Sequence, residues 1–149
     1  MQRFVSKAIN KLDAKGRVSI PSLFRQVLAA QQSGGFFCIK ALGHPALNGF
    51  GEPFFAEANE QLSGYNPVFS KDYAARATAI FAQACYLEID GDGRVRLPDE
   101  LVEYAGISDR VLFVGLDRIF EIWNPETFGP VERARIQEMQ RAYESGSIA

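Results

Sequence analysis

The chain predicts a mainly β fold with helices, an α+β class, in which two similar halves pack about a pseudo-twofold axis. Three observations predict it. An eleven-residue pattern occurs twice without gaps, as Leu12-Asp13-Ala14-Lys15-Gly16-Arg17-Val18-Ser19-Ile20-Pro21-Ser22 and as Ile89-Asp90-Gly91-Asp92-Gly93-Arg94-Val95-Arg96-Leu97-Pro98-Asp99. Within each copy, apolar and polar residues alternate after the glycine, the period of a half-buried strand. Between and after the copies, apolar residues fall at helical spacing. Neither half alone holds enough apolar surface for a core, so the two are expected to share one.

Each position of the repeat has a physical reason. The side chains of Asp13 and Asp90 can accept hydrogen bonds from backbone N–H groups just ahead of them and so open a turn. Gly16 and Gly93 supply the positive φ that closes a short hairpin loop. Val18 and Ile20, like Val95 and Leu97, then face the core, with Arg17 and Ser19, like Arg94 and Arg96, on the opposite side. Pro21 and Pro98 end the strand and suit the first turn of a helix. Leu23 to Leu28 and Glu100 to Ala105 continue with helical spacing.

Later elements follow the same reading. Phe36-Phe37-Cys38-Ile39 and Val111-Leu112-Phe113-Val114 are apolar runs suited to buried strands, and Ile119 to Trp123 is a further strand stopped by Asn124-Pro125. The matching stretch of the first half, Gly43 to Phe50, reads as loop or irregular strand. Phe54, Phe55, Ala58 and Leu62 fit one helix; Tyr73, Ala77, Ile80, Phe81 and Ala84 fit another, with Ser70 as N-cap. A final amphipathic helix starts near Pro130, with Ile136, Met139 and Tyr143 on one face, and the tail 145–149 is expected to fray. The divisions are residues 6–54 and 83–127 for the two repeats, 55–82 for the helical connection and 128–149 for the last helix and tail.

Composition excludes several classes. No run approaches the roughly 20 apolar residues of a membrane span, and the first residues lack the apolar core of a secretory signal. These features predict a cytoplasmic protein. Cys38 and Cys85 have no metal-ligand spacing; buried reduced thiols are expected, and a disulfide between them stays open. Asp90-Gly91-Asp92-Gly93 is no calcium loop, because Arg94, Val95 and Leu101 stand where that loop needs an oxygen ligand, glycine and glutamate. His44, the only histidine, has no partners at ligand or triad spacing and is expected to be structural or exposed. With no nucleophile motif and no phosphate-binding glycine loop, the reading is a non-enzyme without cofactor, metal or small-molecule substrate.

The net charge of −2 does not favour a polyanion, but its distribution is uneven. Up to Arg25 the chain carries Arg3, Lys7, Lys11, Lys15, Arg17 and Arg25 against Asp13 alone. From Phe81 to Trp123, nine acids face Arg94, Arg96, Arg110 and Arg118. Such asymmetry marks the first turn as the candidate polyanion site, with a merely solvated basic turn as the alternative.

The two signatures, Ile9 to Pro21 and Asp90 to Pro98 with Tyr104-Ala105-Gly106-Ile107, together with Phe120-Glu121-Ile122-Trp123, resemble the MraZ family of transcriptional regulators over nearly the whole chain apart from the inter-repeat helices. The resemblance implies a tandem AbrB/SpoVT-like swapped-hairpin barrel and a ring-shaped homo-oligomer associated with the nucleoid. It further implies sequence-specific binding to direct repeats in double-stranded DNA upstream of the cell-division and cell-wall gene cluster, including the regulator's own gene. On that reading Asn10, Lys11, Lys15 and Arg17 are DNA-contacting residues; Arg94 and its neighbour Arg96 are weaker candidates beside Asp92; Asp13, Gly16, Asp90 and Gly93 build the turns. A structural clasp between Asp13 and Arg17 is compatible with contact, since it would orient the arginine. An antitoxin-like protein of the same superfold, binding a toxin, is the alternative; two units and a short tail count against it.

Overall fold

The computed structural model describes residues 2–148, and its two halves share their strands rather than keeping them. The first half runs β1 (Lys7–Lys11), β2 (Arg17–Ser19), α1 (Ser22–Ala30), β3 (Gly35–Lys40) and β4 (Leu47–Phe50). The second repeats the order as β5 (Cys85–Glu88), β6 (Arg94–Arg96), α4 (Asp99–Tyr104), β7 (Arg110–Leu116) and β8 (Ile119–Trp123). Between them lie α2 (Glu52–Glu60) and α3 (Lys71–Ala77), which runs on into a π-helical turn over Thr78–Ala82; α5 (Pro125–Glu144) follows.

One six-stranded antiparallel sheet has the order β1-β7-β8-β4-β3-β5, and β2 and β6 form a separate two-stranded ribbon. β1 pairs with β7, β5 with β3, and β2 with β6, so the first two strands of each half pair across to the other. The registers centre on Val18 opposite Val95 and on Asn48 opposite Glu121, which places the pseudo-twofold axis through both pairs. Among the described residues the sheet is open, with β1 and β5 as edges; it does not close into the barrel that the resemblance implies. The ribbon covers the core instead, through Val18 and Val95.

The core is aromatic at its centre. The Phe120 ring lies 4.9 Å from that of Phe4, and 5.0 Å from those of Phe24 and Phe36. Gly49 passes directly beneath it, where a Cβ would come within 2.4 Å of the Phe120 ring. That approach explains β4: within the stretch read as loop or irregular strand, Leu47–Phe50 is a strand with buried Leu47 and Phe50, and the glycine that blurs its pattern is required by the neighbouring ring. Val18, Ile20, Val95 and Leu97 are buried as expected.

The helices show one correction. α5 starts at Pro125, not near Pro130. Asn124, read as a strand stop, is also the N-cap: its side chain accepts a hydrogen bond from the Glu126 N–H at 3.0 Å, and Pro125 occupies the first turn, where a missing N–H costs nothing. Ser70 caps α3 as expected, accepting from the Tyr73 N–H. Glu121 anchors α5 to the sheet: it is buried and accepts two bonds from the Arg135 guanidinium, at 2.8 and 3.1 Å, and one from Trp123 Nε1. The tail expected to fray ends on Ala149, which lies outside the described residues, as does Met1.

Candidate nucleic-acid interface

The two turns are built alike. In the first, Asp13 Oδ1 accepts from the Lys15 and Arg17 N–H groups at 2.9 and 2.8 Å. In the second, Asp90 Oδ1 accepts from Asp92 and Arg94 at 2.8 and 3.0 Å. Gly16 and Gly93 take φ of 81° and 77°, a region costly for any residue with a Cβ. Each strand then bonds across the axis, Ile20 N–H to Gly93 O and Leu97 N–H to Gly16 O, so each turn is braced by the other half. The Arg17 N–H, more than any other group, holds the Asp13 carboxyl below its ordinary range, against partial desolvation; the Arg17 guanidinium and Lys15 N–H add to it. Asp90 is lowered chiefly by the Arg94 N–H, and the charge of Arg17 also reaches it from the other turn.

The turns differ in what holds their arginines. Arg17 Nε donates to Asp13 Oδ2 at 3.0 Å, leaving about a third of the side chain exposed. Arg94, no more exposed than Arg17, donates instead from Nη2 to Asp92 Oδ2 at 3.2 Å, while its Nε lies buried without a hydrogen bond, 3.9 Å from Asp90. The residue that replaces Lys15 in the second turn thus takes up the second arginine's charge.

The ribbon unites both turns on one surface. Arg17 stands directly opposite Arg96, and Ser19 opposite Arg94, with Val18 and Val95 turned inward between them. Like charges placed opposite each other destabilise a strand pair; Asp13 compensates Arg17, whereas Arg96 has no such partner among the described residues. Lys15 at the first turn's tip is exposed, as are Lys11 and Arg110, which face each other at the end of the β1–β7 pair. Among the described residues, Lys11, Lys15, Arg96 and Arg110 join no ion pair. Asn10 is partly committed, its Nδ2 donating to Ser19 O at 2.7 Å and tying β1 to β2.

Arg25 is the residue that sequence reasoning missed. It lies on α1, donates from Nε to Ile20 O at 3.1 Å, and lays its guanidinium on the second turn, 2.6 Å from where a Gly93 Cβ would stand. Its counterpart across the axis is Val102, so the cation exists at one turn only. Its place in the basic run up to Arg25 was the available signal. An open groove of about 430 Å³, lined among others by Asn10, Ser19 and Arg25, runs beside the ribbon.

His44 is half-buried with its ring 5.6 Å from that of Trp123. Cys38 and Cys85 are free thiols facing each other across β3 and β5. No helix among the described residues is long and apolar enough to cross a membrane.

Comparison with known proteins bears on this arrangement. Residues 80–145 match a family profile described as "MraZ protein", with antitoxin-like as a further descriptor. The chain is similar to the transcriptional regulator MraZ of Xanthobacter autotrophicus, at 44% identity over 126 residues, covering 85% of this chain and 80% of that one. It is similar to that of Azorhizobium caulinodans at 39% over 150 residues, covering 99% and 95%. A Rickettsia bellii regulator of the same name is 38% identical over 129 residues, covering 86% and 85%.

Proposed function

This chain belongs to the MraZ family, and from that premise we propose that it is a transcriptional regulator that binds double-stranded DNA through the β2–β6 ribbon and its two turns. The observation that carries the reading is the outward pair Arg17 and Arg96, set face to face beside the exposed Lys15. A polyanion relieves the repulsion that such a pair creates. Lys11, Lys15 and Asn10 then serve phosphates, which position the protein, while Arg17, held in one orientation by Asp13, addresses a guanine edge bidentately. Arg94 and Arg25 complete the surface at the second turn, where Asp90 and Asp92 weaken the field.

One ribbon offers few cations, and phosphate contacts are individually modest and salt-sensitive. Useful affinity therefore calls for several ribbons in one particle. We read the protein as a ring-shaped homo-oligomer binding direct repeats about 10 bp apart, so that successive ribbons meet the same face of the duplex. The targets are the repeats upstream of the cell-division and cell-wall genes, its own included, and the protein works in the cytoplasm on the nucleoid, without cofactor or catalysis. The crossed pairing of β1, β2 and β5, β6 supports a swapped-hairpin origin for the fold. Mobility-shift experiments with DNA from upstream of the protein's own gene, against shuffled DNA of equal composition, test the reading. A preference for the former upholds it; co-purification of a small toxin without such a preference favours the antitoxin alternative.

A further inference from the structure

The two turns share a backbone plan but not their last hydrogen bond. In the first, Asp13 uses both oxygens: Oδ1 accepts from the Lys15 and Arg17 N–H groups, and Oδ2 from Arg17 Nε at 3.0 Å. Among the described residues, the two Nη groups of Arg17 make no hydrogen bond, so they are left for a ligand. In the second, Asp90 Oδ1 accepts from the Asp92 and Arg94 N–H groups in the same way. The side-chain contact is missing there. Asp90 Oδ2 accepts no hydrogen bond among the described residues, and Arg94 Nε lies buried without one, 3.9 Å away. A buried donor left open beside an open acceptor is uncommon and costs stability. One side chain accounts for it. Asp92 Oδ2 holds Arg94 Nη2 at 3.2 Å from the position that Lys15 takes in the first turn.

We propose that Asp92 is an intramolecular competitor of DNA for Arg94, and so sets how strongly the second turn contributes to binding. Its carboxylate takes the Nη face that Arg17 leaves open, and it draws the guanidinium off the Asp90 clasp. A phosphate can displace it, because the Asp92 side chain is 78% exposed and an ion pair so placed is weak. Release is matched by a gain nearby. With Asp92 displaced, Arg94 Nε closes on Asp90 Oδ2, both open groups are satisfied, and the Nη groups face DNA as those of Arg17 do. Two further cations reach this turn, Arg25 laid on Gly93 and Arg17 through its charge on Asp90. Among the described residues, neither pairs with Asp92, so the latch belongs to Arg94 alone. The inference rests on the reading of the ribbon as a DNA-binding surface and adds the residue that tunes it.

The test is a double-variant cycle on the full chain: wild type, Asp92→Ala, Arg94→Ala and both together, titrated against DNA from upstream of the protein's own gene. Asp92→Asn, which keeps the shape and removes the charge, runs beside Asp92→Ala. Both keep the main-chain N–H that Asp90 holds, so the turn retains its fold, as circular dichroism will verify. Asp92→Ala is expected to raise affinity about 2- to 5-fold per engaged ribbon, the range of an exposed ion pair. Asp92→Asn should act in the same direction. With Arg94 also replaced, most of the gain should disappear, since only the loss of one negative charge near DNA remains. Arg94→Ala, nearly silent in the wild type, should weaken binding clearly once Asp92 is gone. A gain of equal size with and without Arg94 overturns the proposal, as does unchanged or weaker binding by Asp92→Ala. A wild type that does not bind this DNA overturns the DNA reading itself, and the latch with it.

Discussion

Arg17 and Arg96 come from opposite halves of the chain and stand directly across from each other on the outer side of the β2–β6 ribbon. The first turn is thereby completed by the second half: Arg96 Cγ would lie 3.9 Å from a Cβ on Gly16. Arg94, two residues earlier on the same strand, faces Ser19 and gives its guanidinium to Asp92. Neighbouring arginines of one strand therefore sit in different surroundings.

Functional inequality of the arginines follows. Arg17→Ala is expected to cost about 1–3 kcal/mol of DNA binding per engaged ribbon and to relax sequence preference. Arg96→Ala should also weaken binding, and across all sequences if it serves phosphate. Arg94→Ala should do much less, since Asp92 already takes up its charge. Fluorescence titrations of the three variants on one repeat-containing DNA check this; a larger loss from Arg94→Ala would refute the assignment.

Acid sensitivity should trace to the turns. Asp13 and Asp90 have carboxyls held below their ordinary value of 3.8 by backbone N–H donors. A depressed folded pKa gives stability that is present above the unfolded value and lost as pH falls through the folded one. Asp13→Asn and Asp90→Asn should thus lower Tm at pH 7, and the deficit should begin to shrink near pH 3.8 and vanish only below the lower folded values. Thermal melts across pH read this directly. A deficit that stays constant into acid would mean that the carboxylate charge contributes nothing.

Docking of α5 draws on the part-buried Glu121–Arg135 pair, beside the exposed Lys7–Glu132 pair and the packing of Phe128 on Trp123. Burial pushes Glu121 up, but the hydrogen bonds from Arg135 and Trp123 and the Arg135 charge outweigh it, so its carboxyl sits below the ordinary range. Arg135 also lies over the Trp123 and Phe128 rings, at 5.9 Å from each. Arg135→Ala leaves the carboxylate buried without its counter-charge. The expected loss is about 2–3 kcal/mol, below that of a fully buried pair because Arg135 is a third exposed. Without Arg135, burial raises the Glu121 pKa, so the loss should be full at neutral pH and shrink as pH falls and the carboxyl protonates. Denaturant melts of this variant at pH 7 and pH 5 provide the check.

The thiols should be inert in the native protein. Burial pushes Cys38 well above the ordinary thiol range, with Cys85 adding to it, and burial and Glu100 raise Cys85. A thiol-specific chromogenic reagent at pH 8 should label Cys85 slowly and Cys38 only after denaturation. Fast reaction of both in the folded state would contradict the packing.

The turns were legible in the sequence because their chemistry is local: an aspartate, a glycine three residues on, and an alternating strand. Strand pairing was not. The pairing of Val18 with Val95 joins positions 77 apart, so the charge pattern grouped Arg96 with Asp90 and Asp92, whereas the ribbon sets it beside Arg17. Arg25 escaped for the same reason, since it belongs by sequence to the first half and by contact to the second turn. The start of α5 was misplaced because Asn-Pro both stops a strand and opens a helix, and spacing alone does not separate the two.

The central claim is that this ribbon surface binds DNA selectively, and a salt-resolved titration tests it most directly. Affinity for DNA from upstream of the protein's own gene is measured against shuffled DNA, from about 50 to 200 mM salt, for the wild type and for Arg17→Ala with Arg96→Ala. The wild type is predicted to prefer the upstream DNA, with log affinity falling linearly against log salt by about 0.9 per phosphate contact. The double variant is predicted to lose most of that preference and to show a shallower slope. Equal affinity of the wild type for both DNAs, or an unchanged slope and preference in the double variant, would contradict the account.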